Sequence, residues 1–125
     1  MLDLTNADRV ANGVDPLEFV PETLTIARAR ATSQLAIPSL THYDADGTLV
    51  FVHLLADAQL GYLLAGENLA RVSGEDASIT ARVEQALMKS PTHRKNILER
   101  TFTRVAIGSA TDGQGLLTIA EVYRN

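Results

Sequence analysis

Cysteine is absent from this chain, and the 125 residues contain neither a long apolar run nor an excess of basic side chains. Without cysteine, the protein cannot form disulfide bonds, use a thiol nucleophile or hold zinc through thiolates. Without a run of about 20 apolar residues, it has no candidate membrane-spanning helix. Disulfide-stapled scaffolds and cysteine-based metal sites are therefore excluded for this sequence.

The charge balance disfavours nucleic acids and anionic membranes as partners. The chain has 11 Lys and Arg residues and 15 Asp and Glu residues, which gives a formal net charge of −4 with both signs interspersed. A protein that neutralises phosphates needs a basic stripe or patch. We therefore predict no nucleic-acid partner.

The length is typical of a single domain, which would bury about two thirds of its unfolded surface. No repeat, low-complexity segment or linker divides the chain, so we predict one domain over residues 1–125. The first residues do not read as a signal peptide, because charged and polar side chains interrupt any apolar run. These are Asp3, Asn6, Asp8 and Arg9.

Apolar residues at helical spacing predict four helices before residue 91. The first is short, with Thr5-x-x-Asp8 as its capping pattern and Gly13 as its end. The second begins at Pro21, which suits a first helical turn, and ends before Pro38. Its predicted apolar face consists of Leu24, Ala27, Ala31 and Leu35.

Two charged residues of the second helix, Arg28 and Arg30, are predicted to project away from its apolar face. The third helix lies within residues 48–60, with Gly61 as its stop signal. Its predicted inward residues are Leu49, Val52, Leu55, Ala56 and Leu60.

The fourth helix is predicted to begin at Ser78 or Glu75 and to end at Pro91. Its inward stripe consists of Ile79, Val83, Ala86 and Leu87.

Near the end of the chain, the spacing of apolar residues changes from helical to alternating. Val105 and Ile107, and then Leu117 and Ile119 after the turn at residues 112–115, predict a terminal hairpin. Another strand near residues 67–72 would complete a small antiparallel sheet. Helices on both sides of such a sheet predict the α+β class, as an α-β-α sandwich.

Two short segments place ionisable side chains beside residues that restrict the backbone. Glu67 lies between a glycine and Asn68, a context that suits a bend. His93 follows Ser90-Pro91, where proline presets one dihedral and serine can cap the next helical turn. Together with His42, these groups predict a polar cleft. An ordinary exposed turn and a surface histidine are the alternative interpretation.

Several segments also follow one another in an order that is typical of one protein family. They are Asn6-Ala7-Asp8-Arg9, Gly13–Leu17, Leu24–Ala31, Thr41-His42 with Asp44–Gly47, Ala65–Asn68, Ser90–Leu98 and Phe102–Gly108. Their order resembles the CAP superfamily of cysteine-rich secretory, antigen 5 and pathogenesis-related proteins, and in particular its short cysteine-free bacterial branch. The Ser-Pro-x-His-Arg-x-Asn-Ile-Leu run is the most specific match.

The resemblance implies an α-β-α sandwich, an extracellular or cell-envelope location and a cleft with two histidines and two acids. Residue by residue, the histidines match His42 and His93, and the first acid matches Glu67. Ser90 stands where the second acid is expected, and Glu84, two turns earlier, is a substitute without motif support. The remaining residues of the candidate cleft are Asn68, Ser90 and Arg94.

Two imidazoles and one carboxylate could hold a divalent metal such as zinc and leave one position open. The candidate ligands are His42, Glu67 and His93. In the alternative, Glu67 and His93 hydrogen-bond each other and hold the loops of the cleft together.

Three functions are compatible with these residues. The first is an extracellular binding or interaction module for a small molecule, a lipid, a glycan or another protein. The second is a zinc-dependent hydrolase or protease that uses His42, Glu67 and His93, and the third is a structural domain. The sequence favours the first and third, because only a general base is readily named among the groups that catalysis requires.

Overall fold

The computed structural model describes residues 1–74 and 76–125, and these residues form five helices and four strands. In chain order they are α1 (Leu2–Ala11), β1 (Glu18–Phe19), α2 (Pro21–Leu35), α3 (Val50–Asp57), β2 (Ala65–Ser73), α4 (Ile79–Lys89), α5 (Pro91–Ile97), β3 (Arg104–Thr111) and β4 (Leu116–Arg124).

The four strands form one mixed sheet in the order β1-β3-β4-β2. β4 lies in the centre and pairs antiparallel with β3, its hairpin partner, and with β2 along its whole length. This confirms the predicted hairpin and the third strand. The two-residue β1, which pairs parallel with the start of β3, was not predicted, because two exposed residues carry no readable alternation.

Alternation along β4 divides the core into two layers. Val122 and Ala106 pack on one face of the sheet with residues of α2 and α3, and Tyr123 and Val105 pack on the other face with residues of α4 and α5. The predicted α-β-α sandwich is therefore confirmed. None of the described helices combines the length and apolar character needed to span a bilayer.

The capping role predicted for Thr5 is wrong. α1 begins three residues earlier, at Leu2, and the carbonyl oxygen of Met1 accepts the amide hydrogen bond of Thr5. Thr5 is therefore inside the helix and fully buried, and its hydroxyl donates to Glu84 Oε2 at 2.9 Å.

The second helix directs more of its surface inward than its apolar residues predict. Ala27 and Ala31 are fully buried as expected, but Arg30 is only 2% exposed, so its predicted outward orientation is wrong. Arg28 is exposed, as predicted. Arg30 lies three residues after Ala27 and therefore on the same helical face, where a buried carboxylate compensates its charge.

Details of the other helices also differ from the predictions. α3 ends at Asp57, and Gln59 rather than Gly61 adopts the left-handed conformation, with φ of 55°. Phe51 is buried and Ala56 is exposed in α3. In α4, Val83 and Leu87 are buried as predicted, but Ala86 is exposed. Ser78 precedes α4 as its N-cap residue, and Glu75, the other predicted start, lies outside the described residues.

Candidate functional site

Glu67 lies on β2 at the edge of the sheet. It is paired with Val122 in regular antiparallel register, so Glu67 belongs to the strand predicted near residues 67–72, which begins at Ala65, and not to a bend. Its side chain is on the α2 face of the sheet, and the carboxylate is completely buried. Asn68, the next residue, points to the opposite face because side chains alternate along a strand.

Arg30 of α2 binds this buried carboxylate with two hydrogen bonds. Its Nε lies 2.6 Å from Oε1 and its Nη2 lies 3.2 Å from Oε2 of Glu67. The same Nη2 donates to the carbonyl oxygen of Thr41 at 2.7 Å. Arg30 therefore connects the carboxylate to the loop residue that directly precedes His42.

His42 completes a three-residue chain with Arg30 and Glu67. Its Nδ1 lies 2.7 Å from Glu67 Oε2, and 34% of its side chain is exposed. A carboxylate that already receives two bonds from Arg30 acts as an acceptor, so Nδ1 of the neutral ring carries the proton. Nε2 then carries a lone pair for groups outside the protein.

His93 lies in the first turns of α5 and is half-buried. In the part of the chain that the structure describes, no hydrogen bond joins His93 to Glu67, and His93 Nδ1 is buried without a partner. Burial, and next to it the charge of His42, lowers the pKa of His93. The ring is therefore neutral at neutral pH, and the structure does not provide the predicted bond between Glu67 and His93.

The other candidate cleft residues are dispersed around this edge. Asn68 is fully buried, and its Nδ2 donates to Glu121 Oε2 at 3.1 Å on the far face of the sheet. Ser90 takes the N-cap position of α5, but its hydroxyl lies 3.2 Å from Thr92 Oγ1 and makes no cap bond to the backbone. Arg94 is exposed and donates to Asn12 Oδ1.

Arg30 was not identified from the sequence as a residue of the site, although it had a readable signal, because it occupies the i+3 position after Ala27 on the buried stripe of α2. Asn96 belongs to the Ser90–Leu98 run, where its amide can satisfy backbone carbonyl groups. Its Nδ2 donates to the carbonyl oxygen of Glu67 at 3.2 Å and to Asn68 Oδ1 at 2.9 Å, which fastens α5 to the edge of β2.

Glu84 does not stand beside the histidines. Its carboxyl group accepts from Thr5 of α1, and Glu121 is the ionisable group with the largest effect on it. The position at which the family resemblance expects a second acidic residue is therefore still occupied by Ser90.

The residues do not fit a three-ligand zinc centre. Both oxygens of Glu67 are engaged by Arg30 and His42, and the guanidinium charge competes with a metal ion for the carboxylate. Across residues 1–74 and 76–125, no three His, Asp or Glu side chains are grouped so as to hold a metal ion. Glu67 can orient His42 but is not free to coordinate a metal.

Replacing His93 with Ala should change the free energy of unfolding by less than about 1 kcal/mol. The substitution removes an unsatisfied polar atom together with the packing of a half-buried ring, and these effects oppose each other. Urea denaturation of His93→Ala beside His53→Ala, an exposed histidine of α3, would measure the change. A loss of more than about 2 kcal/mol would mean that the ring is hydrogen-bonded in solution.

The arrangement of the sheet, the Glu67 edge and the α5 turn agrees with the family that the sequence resembles. The profile of the "Cysteine-rich secretory protein family", CAP, matches residues 2–122. The chain belongs to the CAP family. The matched region includes Arg30, His42, Glu67 and His93.

Two Bacillus proteins are among its relatives. The chain is 32% identical over 115 residues to the protein YkwD of Bacillus subtilis strain 168, covering 90% of this chain and 42% of YkwD. It superposes with a TM-score of 0.77 on an extracellular SCP-domain protein of Bacillus anthracis at 26% identity, covering 99% of this chain and 38% of that one. The chain thus spans less than half the length of these two relatives.

The fold extends to more distant proteins. An outer surface protein of Borrelia burgdorferi has a TM-score of 0.78 at 17% identity, with 99% of this chain and 88% of that chain covered. At this identity, the likeness shows the CAP fold alone.

Proposed function

We propose that residues 1–125 form a single extracellular CAP domain that binds a hydroxyl-rich ligand such as a glycan, with His42 as the polar anchor. The location is proposed from relatives that are described as extracellular or as outer surface proteins. The role of His42 is proposed from its surroundings.

The supporting observation is that two buried charges orient one partly exposed ring. Arg30 and the Glu67 carboxylate are 3% and 0% exposed, whereas a third of the His42 side chain is in contact with solvent. Apolar residues of similar volume would often stabilise a core as well as a buried ion pair does. An ion pair that holds a partly exposed imidazole in one orientation suits recognition better than scaffolding.

The chemistry of the ring favours hydroxyl groups as partners. With Nδ1 facing Glu67, Nε2 of the neutral ring accepts a hydrogen bond, and the protonated ring donates one. A hydroxyl group can serve either form. A glycan offers several hydroxyl groups to such a ring.

The test follows the imidazole signals of all three histidines by NMR during titration with N-acetylglucosamine oligomers, and then with other oligosaccharides. We expect the ring signals of His42 to shift while those of His53 stay constant. His42→Ala should weaken binding by about tenfold, which corresponds to about 1.4 kcal/mol, and His53→Ala should leave it unchanged.

Binding that persists in His42→Ala with the affinity of the unaltered protein would contradict the proposal. If only lipid vesicles or another protein shifted the His42 signals, the ligand would be a lipid or a protein and not a glycan.

A further inference from the structure

Two carboxyl groups are buried behind the candidate site, on the face of the sheet opposite the Glu67 carboxylate. Glu84 of α4 is 3% exposed, and Glu121 of β4 is fully buried. Among the residues that the structure describes, neither forms an ion pair with a Lys or Arg side chain. Charged carboxylates in such surroundings are strongly disfavoured.

Each carboxyl group has one oxygen with donors and one without. Glu84 Oε2 accepts from the Thr5 hydroxyl at 2.9 Å, and Glu121 Oε2 accepts from the Tyr123 hydroxyl and from Asn68 Nδ2. Oε1 of Glu84 and Oε1 of Glu121 are both buried without a partner. A proton on such an oxygen removes the charge, so the arrangement suits the acid form rather than the carboxylate.

Most of the ionisable groups around the two carboxyl groups raise the pKa of Glu84. Burial, then the charge of Glu121 and, more weakly, that of Asp8 on α1, raises the pKa of Glu84 to about 7 against the bond from Thr5 and the amino group of Met1. Burial also raises the pKa of Glu121.

Two further ionisable groups lie on this face of the sheet, and neither compensates a charge on Glu84 or Glu121. Tyr123 is almost completely buried, and its pKa is raised by burial and by Glu121, so its hydroxyl remains a donor. Arg9 of α1 directs its guanidinium to backbone carbonyl oxygens, those of Asp15, Ile97, Glu99 and Phe102.

Asn68 connects this pair to the candidate site. Its Nδ2 lies 3.1 Å from Glu121 Oε2 and 3.3 Å from the carbonyl oxygen of His93, and its Oδ1 accepts from Asn96. A change of charge on Glu121 therefore acts directly on a side chain that holds the α5 turn.

We infer that Glu84 and Glu121 form a pH-sensitive switch: the protonated pair keeps α1 and α4 packed on β4, and loss of the proton loosens this packing and, through Asn68, the α5 turn. The switch resides in the fold and does not depend on the ligand proposed above, so it can be tested without one.

The direction of the pH dependence follows from the two states of Glu84. Its carboxyl group binds a proton more tightly in the folded state than in the unfolded chain, where the pKa has its ordinary value of 4.5. The stabilisation is complete below about pH 4.5 and is lost as the pH rises to about 7. In this window, Glu84 alone increases the unfolding equilibrium constant by at most about tenfold per pH unit.

The experiment measures urea denaturation between pH 5 and pH 8 for the unaltered protein, Glu84→Gln, Glu121→Gln and the control Glu18→Gln, which removes an exposed carboxylate. His93 affects the pH dependence of stability with the opposite sign, because its pKa is lowered in the folded state. The unfolding constants of two variants are therefore compared at each pH, and no single stability curve is interpreted alone. The ratio of the unfolding constants of the unaltered protein and Glu84→Gln should rise about 40-fold from pH 5 to pH 7. A constant ratio would overturn the switch.

A second measurement works even if a glutamine variant fails to fold. In ¹³C-labelled protein, the side-chain carboxyl carbon of Glu84 should titrate near neutral pH and that of Glu121 above the ordinary range of a glutamate, and the Asn68 side-chain amide should shift with them. Titration of both carboxyl carbons between pH 4 and pH 5 would refute the inference, as would an Asn68 amide that does not respond.

Discussion

Replacing Arg30 with Met should destabilise the domain by about 3–5 kcal/mol, the usual cost of removing one partner of a buried ion pair. The variant leaves the Glu67 carboxylate buried with only His42 beside it, and it removes the bond to the carbonyl oxygen of Thr41. Urea denaturation would measure the loss. NMR signals of the His42 ring should also show that the ring is no longer held in one orientation.

Arg28→Met is the matched control, since Arg28 lies two residues away on the same helix and is exposed. It should cost less than about 0.5 kcal/mol. The double variant Arg30→Met with Glu67→Gln should be more stable than Arg30→Met alone, because neither position then carries a buried charge. Equal losses for Arg30→Met and Arg28→Met would show that Arg30 does not compensate a buried charge in solution.

Gly108→Ala is expected to have the second large effect, a loss of about 3 kcal/mol or more, at the upper end of the range for overpacking. A Cβ atom at Gly108 would lie 2.3 Å from the carbonyl carbon of Ala27 and 2.3 Å from the backbone nitrogen of Arg28. These are backbone atoms of α2, so no side-chain rotation can relieve the contact. The helix itself would have to move away from β3.

Gly61→Ala provides the control for this variant. A Cβ atom at Gly61 would point into open space, with no contact within 4 Å, and Gly61 does not adopt the left-handed conformation. Its replacement should leave the unfolding midpoint nearly unchanged. Displacement of α2 in Gly108→Ala should also disturb Arg30, so the His42 ring signals should shift in this variant and not in Gly61→Ala. If Gly108→Ala unfolds at the same urea concentration as Gly61→Ala, the close crossing of α2 and β3 does not exist in solution.

The elements of the fold could largely be predicted from local patterns. Helical spacing located α2 and α4, and alternation located β3 and β4, because each of these segments is long enough to show its period several times. β1 could not be found this way. It is a strand only because Glu18 and Phe19 lie beside the start of β3.

The candidate site was predictable only in part. The resemblance to the CAP family named Glu67, His42 and His93, and the structure places the first two in direct contact. The position of His93 relative to the carboxylate depends on how α5 is fastened to β2 by Asn96, a contact between side chain and backbone across 29 residues. Local sequence patterns contain no information about such a contact.

The class of the fold, the family and the order of the elements could be read from the sequence, because periodicity is a property of neighbouring residues and motif order follows the chain. Which charges are compensated became evident only once the elements were packed together. Arg30, the partner of Glu67, lies on α2, 37 residues earlier in the chain. Within the described residues, neither Glu84 of α4 nor Glu121 of β4 forms an ion pair with Lys or Arg. Both outcomes depend on burial, which arises when distant elements pack and which sets the energy of every charge between them.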